Sequence, residues 1–191
     1  MIKPAGHTIV VSPIGELDAA ILDRILKEIR LVFAYPTETL PLLEDLEFAY
    51  DPSRRQYHST PILERLADRA PPHALKVLCI AQVDLFIPIL THVYGEAQLG
   101  GKASIVSLYR LREGLPLVGA EKSYGFRTVK ESVHELGHTF NLHHCKDHTC
   151  IMHYCRSLKD VDAKSDQLCR YCRIMLNDEI KRLEKTSPPA F

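Results

Sequence analysis

Three histidines set the strongest constraint on this chain, because no continuous helix can bring them together. His134 and His138 are four residues apart. On a helix that is slightly more than one turn, so both imidazoles project to one side and can grip one ion. His144 lies six residues further on. In an unbroken helix it would be about 9 Å along and roughly 240° around, out of reach of the same ion. The chain must therefore reverse between His138 and His144. Asn141 stands at the natural turning point, and asparagine tolerates the left-handed backbone best after glycine.

The surrounding segment supports the helix. Val129, Val133, Leu136 and Phe140 are spaced four, three and four apart and form a core-facing stripe over Thr128 to Asn141. Glu135 follows the first histidine, about 100° around the helix. It reaches water at a metal without displacing a ligand. This is the H-E-x-x-H arrangement, in which the glutamate is general base. Catalytic zinc usually has three protein ligands and an open position. His144 is the expected third ligand and His143, one residue away, is its competitor.

His134 to His144 resembles the metzincin signature H-E-x-x-H-x-x-G-x-x-H, with Asn141 where that family usually has glycine. The likeness narrows downstream. Cys145 follows the third histidine, Cys150 and Met152 come next, and Cys169 and Cys172 close the pattern as CxxC. This resembles the archaemetzincins. The matching segment, His134 to Cys172, covers about a fifth of the chain.

The resemblance implies a zinc-dependent metallopeptidase of one domain, with peptide or protein as substrate. It implies a metzincin-like α/β (α+β) fold. Such a fold has a twisted, mostly parallel sheet with an antiparallel edge strand, packed helices and a zinc-site helix. Residues 1–141 would form an N-terminal subdomain. Residues 142–191 would form a small C-terminal one with a methionine turn and a long helix. Met152 would be the soft floor beneath the histidines. Tyr154 matches a tyrosine of the astacin branch that touches the site, and either hydrogen-bonds the developing oxyanion or simply packs at the turn.

Five of the six cysteines lie in the last third. Cys145, Cys150, Cys169 and Cys172 make a four-thiolate set, a closed kind of site that is structural in zinc proteins. Archaemetzincins are similar here, which implies two zinc ions per chain. Reduced free cysteines, or Cys155 or His148 in place of one ligand, are the alternatives. Cys79 falls in an apolar strand and reads as a core thiol.

Upstream, His7 to Val11 reads as a strand and Leu17 to Phe33 as an amphipathic helix. A strand is expected near Leu46 to Ala49. A helix should run to about Arg69, with Thr60 as N-cap and Pro61 first. Strands are expected at Lys76 to Val83 and Ala103 to Leu111; the resemblance to metzincins implies that the second is the sheet edge, where an extended substrate would pair. The loops Gly114 to Tyr124 and beyond Tyr154 are expected to shape the pockets. The last helix should start at Ser165 as N-cap and run to about Lys185, leaving a loose tail from Ser187.

Net charge is zero, so nothing favours nucleic acid or anionic membrane. No apolar run is long enough to cross a bilayer. Met1 to Val11 lacks a signal-type pattern, which points to the cytoplasm. A monomer is expected. Besides the peptidase, two readings stay open: a weak or inactive zinc-bound module that recognises peptides, and a zinc-ribbon interaction domain.

Overall fold

The computed structural model describes residues 7–116 and 118–186. The tail from Ser187 lies outside the described residues.

Alternating apolar residues build a sheet that is covered on both faces. In β1 (Thr8–Pro13), Ile9 and Val11 join one core cluster and Val10 the other. In β5 (Ala74–Ala81), Leu78 and Ile80 face the first, while Val77, Cys79 and Ala81 face the second. This period of two with no polar face is what a sheet with helices on both sides requires. The first cluster is covered by α1 (Ala19–Phe33) and α3 (Glu121–Thr139), the second by α2 (Ser59–Arg69). Cys79 is fully buried, as expected of a core thiol.

The strand order is β2-β1-β5-β8-β7, with β2 at Thr37–Thr39, β8 at Ala103–Ser107 and β7 at Gly95–Ala97. Pairing is parallel throughout except between β8 and β7. A second small sheet joins β3 (Tyr50–Asp51), β4 (Gln56–His58) and β6 (Leu85–Phe86). The mostly parallel sheet with an antiparallel edge agrees with the sequence expectation. The identity of the edge does not. β8 is an interior strand and stops at Ser107, where the chain turns to seat Leu111 in the core and Arg110 on Asp84. The free edge belongs to β7, a segment too short and too poor in apolar residues to announce itself.

Other boundaries also move. Glu47–Ala49 is a short 3-10 turn, not a strand. The metal-site helix begins at Glu121, seven residues before the expected start. Its first half hides from a hydrophobic pattern because it buries charge. Arg127 pairs with Asp162 at 2.7 Å and donates to the Leu111 carbonyl, and Lys130 donates to the Val161 carbonyl. Thr60 is not an N-cap; its hydroxyl bonds the Glu96 carboxylate. Ser165 is not one either. Its amide bonds the Thr149 carbonyl, Ile151 bonds Gln167 in return, and the last helix, α5 (Arg170–Thr186), starts five residues later. A short helix, α4 (Leu158–Ala163), precedes it. No described helix is long and apolar enough to cross a membrane.

Candidate metal centre

α3 ends as its sequence requires. Asn141 takes φ 61°, the left-handed backbone. Its amide bonds the His138 carbonyl at 2.9 Å and the Leu142 amide bonds the Gly137 carbonyl at 3.2 Å. That pair of bonds is a Schellman turn, with buried Leu142 closing it from below. Lys76, buried with its pKa pushed down to about 8 chiefly by desolvation, donates to the Thr139 carbonyl at 2.6 Å and supports the same helix end. The reversal carries His144 back over the helix.

His134, His138 and His144 each offer one ligand atom, all within 4.8 Å of one another. The Nε2 atoms of His134 and His138 are 3.1 Å apart. Nδ1 of His134 donates to the Ile151 carbonyl at 2.8 Å, and Nδ1 of His138 donates to the Leu142 carbonyl at 2.7 Å. With those protons placed, the two facing Nε2 atoms present lone pairs to each other. Lone pairs so close repel unless a cation lies between them, and this orientation by carbonyl acceptors is the usual support of a metal-bound imidazole. Burial, first among the causes, lowers the pKa of all three rings: well below the ordinary value for His134, to about 4 for His138, and downward for His144. They are neutral at physiological pH, the state that ligates metal. His143 is exposed and lies outside this group.

Met152 is fully buried beneath the helix. Gly137 makes room for it: a Cβ there would meet the Met152 sulfur at 2.6 Å. Glu135 is buried beside the histidines, and a Cβ at Gly95 of β7 would fall on its side chain. Burial, then the charges of Glu131 and Glu96, push its pKa well up, with Lys164 opposing. Tyr154 is half-exposed, with its ring 4.9 Å from that of His144.

Behind His134 is a pair that the sequence did not reveal. Lys164 and Glu131, both buried, meet at 2.7 Å. Burial alone would lower the lysine pKa, but the Glu131 charge and Cys155 outweigh it and hold the ammonium charged. Two turns of α3, at Arg127 and at Lys130 and Glu131, thus carry buried charge facing the C-terminal segment, and neither has a recognisable motif.

The four thiols Cys145, Cys150, Cys169 and Cys172 also gather within 4.8 Å of one another, and no disulfide joins them. The Cys169 amide bonds the Cys150 sulfur at 3.3 Å, and the Cys172 amide bonds the Cys169 sulfur at 3.5 Å. Burial alone would raise the Cys169 thiol, but the Cys172 amide and the neighbouring thiols draw it below its usual range, whereas burial leaves Cys150 and Cys172 raised. Four sulfurs so close cannot all ionise without a cation among them. Neither Cys155 nor His148 belongs to the group.

A cleft of about 560 Å³ opens over the histidines. One wall is drawn from the segment between Ile87 and Leu99, including β7; the other holds His143, His144, Tyr154, Cys155 and Arg156. The segment beyond Tyr154 therefore lines it as expected. Among the described residues, Gly114 to Tyr124 does not, and the loop before β7 takes that place. Along β7, the Tyr94 carbonyl accepts from Ser107 and the Gln98 amide donates to Ala103. By alternation, Gly95 and Ala97 turn their N–H and C=O groups away from β8.

Comparison with known proteins agrees with this arrangement. The sequence profile of peptidase family M54 matches residues 47–178. The archaemetzincin of Methanocaldococcus jannaschii is 36% identical over 173 residues, covering 89% of this chain and 93% of the relative. The crystal structure of archaemetzincin from Methanopyrus kandleri superposes with a TM-score of 0.81 at 31% identity, covering 95% of this chain and all of the other. A zinc-dependent peptidase from Methanocorpusculum labreanum gives 0.77 at 26% identity, covering 88% of this chain and 100% of its own. The chain belongs to peptidase family M54, the archaemetzincin zinc metallopeptidases.

Proposed function

We propose that His134, His138 and His144 hold the zinc of this peptidase with one position open, and that Glu135 is its general base. The observation that carries this is the pair of facing Nε2 atoms, fixed from behind by carbonyl oxygens. When bound, the ion supplies a Lewis acid and acidifies water in its coordination sphere. Glu135 takes a proton from the attacking water and delivers it to the leaving amine. Tyr154 donates a hydrogen bond to the carbonyl oxygen as charge grows there. Met152 keeps the floor apolar.

An extended peptide adds to the free edge of β7, using the outward N–H and C=O groups of Gly95 and Ala97. Residues 1–141 and 142–191 act as two subdomains of one catalytic domain, and each supplies one wall of the cleft. Cys145, Cys150, Cys169 and Cys172 hold a second, structural zinc. Cysteines that must stay reduced to hold zinc suit a reducing compartment, which supports a cytoplasmic enzyme.

Metal analysis tests the pair of sites: two zinc ions per chain are expected, and hydrolysis of a peptide library should stop with chelator and return with zinc. A single zinc with full activity would remove one of the two sites. Tyr154→Phe separates the roles of that residue. Loss of one oxyanion donor should lower kcat by about a hundredfold with little change in KM; an unchanged kcat would leave Tyr154 a packing residue only.

A further inference from the structure

The edge strand β7 is three residues long, and an edge so short has little to fix it. Its register matters on both sides. On the α3 side Gly95 gives Glu135 its space; on the open side the Gly95 and Ala97 backbone faces the cleft. Gly95 and Ala97 have almost no side chain with which to hold the strand in place. Glu96 between them projects to the opposite face, toward α2.

There its carboxylate is held by two hydroxyls. The Thr60 hydroxyl lies 2.9 Å from one carboxylate oxygen and 3.1 Å from the other. The Ser59 hydroxyl makes a short bond to the second oxygen and lies 3.1 Å from the Phe86 carbonyl. Ser59 is fully buried. Phe86 closes β6, immediately before the loop that forms the cleft wall. α2 needs a negative charge at this end. It has no acidic residue in its first turn and no side-chain cap, so a carboxylate there interacts favourably with the unpaired amides. Glu96 brings that charge from a strand 36 residues away in sequence.

We propose that Glu96 is a positioning residue for peptide binding: its clamp on Ser59 and Thr60 fixes β7 so that the strand's outer edge is presented to the substrate. This deepens the reading of β7 as the docking edge and rests on it. Glu96 does not touch the reacting atoms. Its effect is on how well an extended peptide is held, and its absence leaves the edge free to shift between registers.

The test compares kcat and KM for an eight-residue fluorogenic peptide and for a short aminoacyl amide that cannot reach along β7. Glu96→Ala loses charged hydrogen bonds, and KM for the long peptide is expected to rise about tenfold. Loss of the Glu96 charge also relieves the upward push on the Glu135 pKa, which acts on both substrates alike, so the decisive reading is the ratio: kcat/KM for the long peptide should fall about tenfold relative to the short amide, at wild-type zinc content. Glu96→Gln, which can bond the same two hydroxyls, should restore most of the KM. An unchanged KM in Glu96→Ala, or an equal loss on both substrates, overturns the proposal. If Glu96→Ala does not fold, Thr60→Val removes half of the clamp and is judged by the same split. Ala97→Pro tests the docking edge separately, since it deletes an outward N–H that an edge strand can lose without harm to the sheet. A raised KM in Ala97→Pro with none in Glu96→Ala rejects the clamp alone; an unchanged KM in Ala97→Pro rejects the docking reading.

Discussion

Glu135→Ala protein is expected to bind zinc at the wild-type stoichiometry and to hydrolyse peptides about a thousandfold more slowly. The two halves of this result come from different atoms. The three ligand atoms belong to His134, His138 and His144, and Glu135 is outside that group. Its removal leaves the Nδ1 bonds to Ile151 and Leu142 in place, so the ligand geometry survives. What disappears is the proposed base, which lies in the cleft between β7 and the histidines. Truncation also leaves a small void beside Gly95, which is a second way to lose activity. Glu135→Gln separates the two. It fills the same volume and keeps hydrogen-bonding capacity, but it cannot accept a proton as the carboxylate does. The same loss in both variants, with normal KM, assigns the effect to proton transfer. Turnover above a tenth of wild type in the glutamine variant would falsify the assignment of Glu135 as base.

Much of the candidate metal site was legible because it is local. The spacing of His134 and His138 needs only helical geometry, and the reversal before His144 needs only a residue that accepts φ 61°, which Asn141 provides. The parallel core strands were legible for the same reason: β1 and β5 are apolar on both faces. The parts that escaped depend on pairing across long stretches of chain. Lys164 has no pattern of its own and becomes meaningful only when α4 folds back on Glu131. β7 has no hydrophobic period, and its place at the edge is set by β8 and by Glu96 reaching α2. Thr60 looked like a cap because threonine before proline often is one, yet its hydroxyl is taken by a residue far along the chain. The early start of α3 was hidden by charged residues that are buried through ion pairs. Local patterns reveal ligands and turns; they do not reveal which strand ends a sheet or which charges find partners inside.

The second large effect is expected from Cys172→Ser, and it should reach the histidine cluster without touching it. Cys172 is buried on the first turn of α5, while Cys145 lies directly after His144. Cys145 is otherwise held by a parallel bridge, its amide bonding the Met152 carbonyl at 2.8 Å, and by His153 Nδ1, which donates to the Cys145 carbonyl at 2.9 Å. A structural zinc at the four thiols, as proposed, would therefore fix α5, the Met152 turn and the His144 loop to one another. Serine is nearly the same size as cysteine but does not supply a thiolate, so the site falls to three ligands. Losing it should cost about 5 kcal/mol, a fraction of what structural zinc sites provide in small domains. For a chain of this length that lowers Tm by roughly 10–20 °C. Zinc content should fall by one ion per chain at least. Activity should fall further than that count suggests, because His144 loses the anchor next to it. His144→Ala is the contrast: it should abolish turnover and weaken only the histidine site, with Tm nearly unchanged. If Cys172→Ser instead keeps the wild-type zinc content and melts within a few degrees of wild type, the second ion is not held by these four sulfurs, and the Schellman turn at Asn141 with the bonds between Cys145 and residues 152–153 would deliver His144 without it.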